Sequence, residues 1–99
     1  MLGINKTQDG SELNVALSGR LDTETATDFD EQVVKELDGI TSLTVDLADV
    51  MYVSSAGFRV LMLAAKELGP DGAVSVTNAN ETVREAFDMT GLTEVLNVK

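Results

Sequence analysis

The chain has 99 residues, with 17 acidic and 7 basic side chains, no cysteine and no histidine, so its formal net charge is −10. Those absences exclude a Ser-His-Asp triad, a thiolate nucleophile, a disulfide and a zinc site built from the usual ligands. The acidic excess excludes non-specific nucleic-acid binding, which needs Lys and Arg to neutralise phosphates, and it opposes docking on an anionic membrane. At 43% hydrophobic the chain can bury one core, and its length predicts a single domain over residues 1–99.

In chain order, a weak strand is expected around residues 4–7, with Asp9-Gly10 as a hairpin turn signal. From Glu12 to Ser18 the sequence alternates, with Leu13, Val15 and Leu17 on one face, which is the pattern of a half-buried strand. Gly19-Arg20-Leu21-Asp22 breaks that pattern and leads into a helix, for which Thr23 and Thr25 are both candidate N-caps. Ala26, Phe29, Val33 and Leu37 recur at helical spacing until Gly39. Ser42 to Leu47 alternates again as a strand, and Ser54 to Leu68 is the longest helical candidate, stopped by Gly69-Pro70. Asp71-Gly72 turns into a strand over 73–77. Asn78-Ala79-Asn80-Glu81 starts a third helix with Val83, Ala86, Phe87 and Thr90 inward, and Val95–Val98 closes as a short strand. The order β-β-α-β-α-β-α-β predicts an α/β fold, with parallel pairing wherever a helix joins two strands.

No stretch approaches the roughly 20 apolar residues that cross a bilayer, and the first residues lack a charged-then-apolar secretory pattern. A cytoplasmic protein with no membrane insertion is the expectation. The acids are unevenly spread: eleven against three bases in residues 1–50, six against four in the remainder, and none between Asp49 and Glu67. The acidic face of the first helix reads as solvated surface, since Asp28-Phe29-Asp30-Glu31 lacks the glycine and alternate ligands of a calcium loop. No metal and no cofactor are expected. Asp46 and Asp49 precede Ser54 and Ser55, but with no His or Lys base beside them a catalytic dyad is not expected, nor is an enzyme.

The serine pair opens the second helix. One serine is well suited to cap it, yet Gly57 sits in the first turn where Ala would be favoured by up to about 1 kcal/mol. The helix also carries two apolar stripes: Gly57, Val60, Leu61, Ala64 and Leu68 on one, Phe58, Met62 and Ala65 on the other. One stripe packs on the sheet. The other is buried under a neighbouring helix, exposed to a partner, or a homodimer surface. A phosphate on a serine here gains about 0.3–1 kcal/mol from the helix N-terminus and meets no acid in the following twelve residues. About 2.7 kcal/mol of penalty in a docked complex lowers affinity a hundredfold, so this is a plausible on/off switch.

Tyr52-Val53-Ser54-Ser55-Ala56-Gly57-Phe58-Arg59-Val60-Leu61, with Leu43-Thr44-Val45-Asp46-Leu47 and Gly19-Arg20-Leu21-Asp22 upstream, resembles the STAS domain of bacterial anti-sigma-factor antagonists, along essentially the whole chain. The resemblance implies a mixed sheet of four or five strands with helices packed on one side. It implies an unphosphorylated form that binds an anti-sigma factor and frees the sigma factor, and a regulatory serine phosphorylated by that anti-sigma factor acting as an ATP-dependent serine kinase. Carried over residue by residue, the phosphoacceptor is Ser55 and Ser54 is its neighbouring cap. Asp22, followed by Thr23, is the loop acid near the serine; Gly57 lies in the same first turn, and Phe58, Arg59 and Met62 fall on an exposed flank that meets the partner. Sporulation-type members carry Asp just before the serine pair; this chain has Val53. Two other STAS-like roles compete: a cytosolic accessory subunit of a phospholipid-trafficking ABC transporter, and a scaffold subunit of a stress-signalling complex.

Overall fold

The computed structural model describes residues 2–70, 72–91 and 96–98. Five strands form one mixed sheet in the order β1-β2-β3-β4-β5. β1 (Leu2–Asp9) and β2 (Glu12–Leu21) pair antiparallel from Leu2↔Gly19 to Asp9↔Glu12. The two-residue connection between them needs a backbone that Gly10 supplies at φ +62°. β3 (Ser42–Val53), β4 (Ala73–Thr77) and β5 (Asn97–Val98) then add in parallel. Asp71 and Val95, which belong to the predicted turn and closing strand, lie outside the described residues.

Each parallel step moves one strand further in the same direction. Right-handed crossovers therefore put α1 (Thr25–Gln32), α2 (Ser55–Leu68) and α3 (Glu81–Thr90) on one face. Strand alternation follows from this. Leu13, Val15, Leu17, Leu43, Val45 and Val76 are buried toward the helices, whereas Asn14, Thr44, Asp46 and Thr77 stand on the open face. Phe29, Leu61, Ala64 and Phe87 close the core from the helical side, each 0% exposed.

The first helix, β2, β3 and α3 differ from the sequence expectation. The first helix ends at Gln32; Val33, at φ −120°, breaks it, and Val34–Glu36 continue as a 3-10 turn. The apolar positions Val33 and Leu37 are still buried, so the helical spacing correctly marked the inner face although the backbone tightened. β2 and β3 both run further than alternation suggests. They stay paired through two register shifts, Ala16 to Ser18 and Gly19 to Arg20, that accommodate extra residues in β3. Thr90 is exposed at the end of α3, its hydroxyl donating to the Phe87 carbonyl at 3.0 Å, rather than lining the inner stripe.

Candidate functional site

The C-terminal ends of β2 and β3 lie side by side, with Leu21 paired to Val53. Open α/β sheets place their sites at this end of parallel strands. The Ser54 N–H donates to the Leu21 carbonyl at 2.9 Å, so the turn holding Asp22 and the turn holding the serines are tied together by backbone.

Ser54 is the N-cap of α2. Its backbone is extended (φ −85°, ψ 175°), and its hydroxyl accepts from the Gly57 N–H at 3.3 Å. That satisfies one of the N–H groups a helix start leaves without a partner and contributes about 1 kcal/mol. Ser55 is the first helical residue and is exposed. The pair therefore divides its work: one hydroxyl is spent on the helix and the other faces solvent.

Gly57 has a steric reason. A Cβ there would stand 2.7 Å from the Leu21 carbonyl oxygen and 2.8 Å from Val53 Cγ1. The helix thus rests directly on the strand ends, and the glycine sets how close Ser55 stands to the Asp22 turn. For Gly57→Ala the propensity gain of about 1 kcal/mol opposes overpacking of about 1–3 kcal/mol, with backbone on the colliding side. We expect a net loss of stability in urea unfolding. A more stable variant would show that this packing is looser than described.

Asp22 serves α1 rather than standing free. Its Oδ1 accepts from the Glu24 and Thr25 N–H groups, both at 3.1 Å. Thr25, 5% exposed, accepts from the Asp22 N–H at 2.8 Å and donates to the Arg20 carbonyl at 2.7 Å. Neither Thr23 nor Thr25 is the N-cap that the sequence suggested: Glu24 holds that position without a side-chain cap bond, and the Asp22 carboxylate, reaching forward, meets the Glu24 and Thr25 amides instead. Thr23 is exposed in the same turn. The Thr25 N–H holds the Asp22 carboxyl below its ordinary range, aided by the Thr25 hydroxyl, the Glu24 N–H and the Arg20 charge against partial desolvation. A carboxyl depressed in the folded state adds stability above its unfolded pKa, and that stability is lost as pH falls through the folded value. Asp22→Asn is therefore expected to be less stable than the parent at neutral pH, with the gap closing in acid. Parallel urea titrations across pH check it, and a gap that widens in acid would contradict the assignment.

Two features at this end went unnoticed in the sequence. The Arg20 guanidinium lies 5.0 Å from the Tyr52 ring centroid and 3.9 Å from Asp22. Met51 falls in the second register shift and is 72% exposed, with Tyr52 beside it also exposed. Their signal was present: Met51-Tyr52 interrupts the apolar alternation that Val50 and Val53, both buried, would otherwise continue.

The flank of α2 divides. Arg59 and Met62 are exposed as expected. Phe58 is not: it is buried, its ring edge-to-face with Phe87 of α3 at 4.8 Å between centroids and 84° between planes. The expectation of an exposed Phe58 is corrected, because α3 covers the first turn of the second stripe. Asp22, Thr23, Ser54, Ser55, Arg59 and Met62 thus keep solvent-facing surface, while Gly57 and Phe58 are interior. Among the described residues no cluster of three or more acidic side chains is placed to hold a metal. No helix among them is long and apolar enough to cross a membrane.

A family model described as "Mlab, STAS domain" matches residues 4–97. The anti-sigma-B factor antagonist of Bacillus subtilis is 24% identical over 98 residues, covering 98% of this chain and 90% of that protein. The crystal structure of an anti-sigma factor antagonist from Mycobacterium paratuberculosis is similar at TM-score 0.85 with 23% identity, over 99% of this chain and 85% of that one. The Bacillus cell fate determinant SpoIIAA in its phosphorylated form is similar at TM-score 0.77 with 16% identity, over 98% and 91%. With the family model spanning nearly its whole length, the chain belongs to the STAS domain family.

Proposed function

We propose that this chain is an anti-sigma factor antagonist of the bacterial cytoplasm. Its unphosphorylated form binds an anti-sigma factor that is also a serine kinase, releasing the sigma factor, and phosphorylation of Ser55 ends the binding. The observation that carries the reading is the division of the serine pair: Ser54 caps α2 while Ser55 is exposed at its first position. The surface offered to the partner comprises Asp22, Thr23, Ser54, Ser55, Arg59 and Met62, extended by Arg20, Met51 and Tyr52. In the transfer the Ser55 oxygen bonds to the γ-phosphorus of ATP, the bridging bond to ADP breaks, and the hydroxyl proton goes to a base of the kinase. The chain is the acceptor in that chemistry, not its catalyst.

The relative and the first solved structure named above are both anti-sigma factor antagonists, and SpoIIAA is known in a phosphorylated form. These support the antagonist reading over a transporter subunit. Incubation with the cognate kinase and ATP should add one phosphate to the parent and none to Ser55→Ala. Stable co-purification with a transporter ATPase, together with no phosphate on Ser55, would replace this reading by the transporter one.

A further inference from the structure

The second apolar stripe of α2 is buried at Phe58 and partly covered at Ala65, but Met62 between them is 42% exposed, and the neighbouring Leu63 is 43% exposed. Beside them runs an open groove of about 630 Å3, bounded by the C-terminal half of α2, the turn through Pro70 and the first residues of β4. Its apolar walls come from Met62, Leu63, Pro70 and Val74, and its charged lining residues are Arg59 and Lys66; no carboxylate lines it among the described residues. In a chain of net charge −10 this groove gathers two of the seven bases. They lie seven residues apart, about 10 Å along the helix at 1.5 Å per residue.

The two cations are not equivalent. Lys66 also borders a second hollow lined by Asp30, Lys35 and Glu67, so its charge is shared with two carboxylates. Arg59 borders only the groove among these hollows. A compact hydrophilic anion would gain nothing from the apolar walls, and a neutral alkane would gain nothing from Arg59. The volume falls in the range of small-ligand sites, about 300–1,000 Å3.

We propose that this groove binds a free alkyl carboxylate of the medium-chain fatty-acid type, with its head at Arg59 and its tail along Met62, Leu63, Pro70 and Val74. The groove shares Arg59 and Met62 with the surface proposed for the partner, but the inference stands whether or not Ser55 is phosphorylated. Decanoate is the probe. Titrated into the labelled protein, it should give saturable amide shifts centred on Arg59, Met62, Leu63 and Val74. Acetate should give none at equal concentration, and decyltrimethylammonium should bind at least about tenfold more weakly. Arg59→Gln removes a charge-assisted contact and should weaken decanoate about tenfold, Lys66→Gln much less. Leu63→Glu, at an apolar wall of the groove that is 43% exposed, should repel decanoate with both cations retained. Equal affinity for the cationic and anionic amphiphiles would reduce the groove to an unspecific apolar patch and overturn the proposal. So would undiminished binding by Arg59→Gln, the absence of saturation, or a concentration-dependent dimer in sedimentation that excludes decanoate.

Discussion

Phe58→Ala is expected to lower the free energy of unfolding by about 3–5 kcal/mol, a fifth or more of the roughly 5–15 kcal/mol that a domain of this size commonly has. The ring is buried between α2 and α3, and its edge-to-face pairing with Phe87 adds about 0.5–1.5 kcal/mol beyond area burial. The rest of α3's anchorage is slighter: Val83 is buried, and the Asn80 side chain caps the helix at 2.9 Å while donating to the Val50 carbonyl at 3.3 Å. Removing the Phe58 ring leaves Phe87 facing a void, so the loss should concentrate in α3. Urea unfolding gives the magnitude, and hydrogen exchange gives the place, with α3 amides exchanging faster than those of β2 and β3. A loss below about 1 kcal/mol would mean that Phe58 is the surface residue its sequence position suggested.

Ser55→Asp is expected to weaken binding to the anti-sigma factor about a hundredfold or more, with almost no change in stability. Stability is spared because Ser55 is exposed and because an acid in the first turn gains about 0.3–1 kcal/mol from the helix N-terminus. Binding is lost because the same charge must be desolvated in the docked complex, where about 2.7 kcal/mol accounts for a hundredfold. Ser55→Ala should bind as the parent does. Ser54→Asp offers a contrast: position 54 is half-buried and its side chain is held by the Gly57 N–H, so a carboxylate there stays engaged as the cap of α2 and should weaken binding less than Ser55→Asp does. Titration calorimetry against the purified partner checks all three, and parent-like affinity for Ser55→Asp would remove the switch from the account.

What the sequence made legible was whatever depends on period and punctuation. Leu13-Val15-Leu17 and Leu43-Val45-Leu47 placed two strands and their inner faces, and Gly69 marked where α2 stops. The mixed sheet with its opening hairpin followed from element order. What stayed hidden depends on contacts between distant segments. Gly57 looked like a poor helix residue, and only the approach of Leu21 explains it. Phe58 shared a stripe with Met62, yet α3 reaches one and not the other. Asp22 was singled out for a loop role, but its part in capping α1 needed the geometry of the Thr25 turn. The Arg20–Tyr52 stacking required the register of β2 on β3, which period alone does not supply.

The proposed reversible phosphate on Ser55 is tested most directly by the intact mass of the chain purified from its own cells. A fraction heavier by one phosphate is expected under some growth conditions, reduced to the unmodified mass by phosphatase and missing from Ser55→Ala. A single unmodified mass under every condition, or a phosphate that persists in Ser55→Ala, would contradict it.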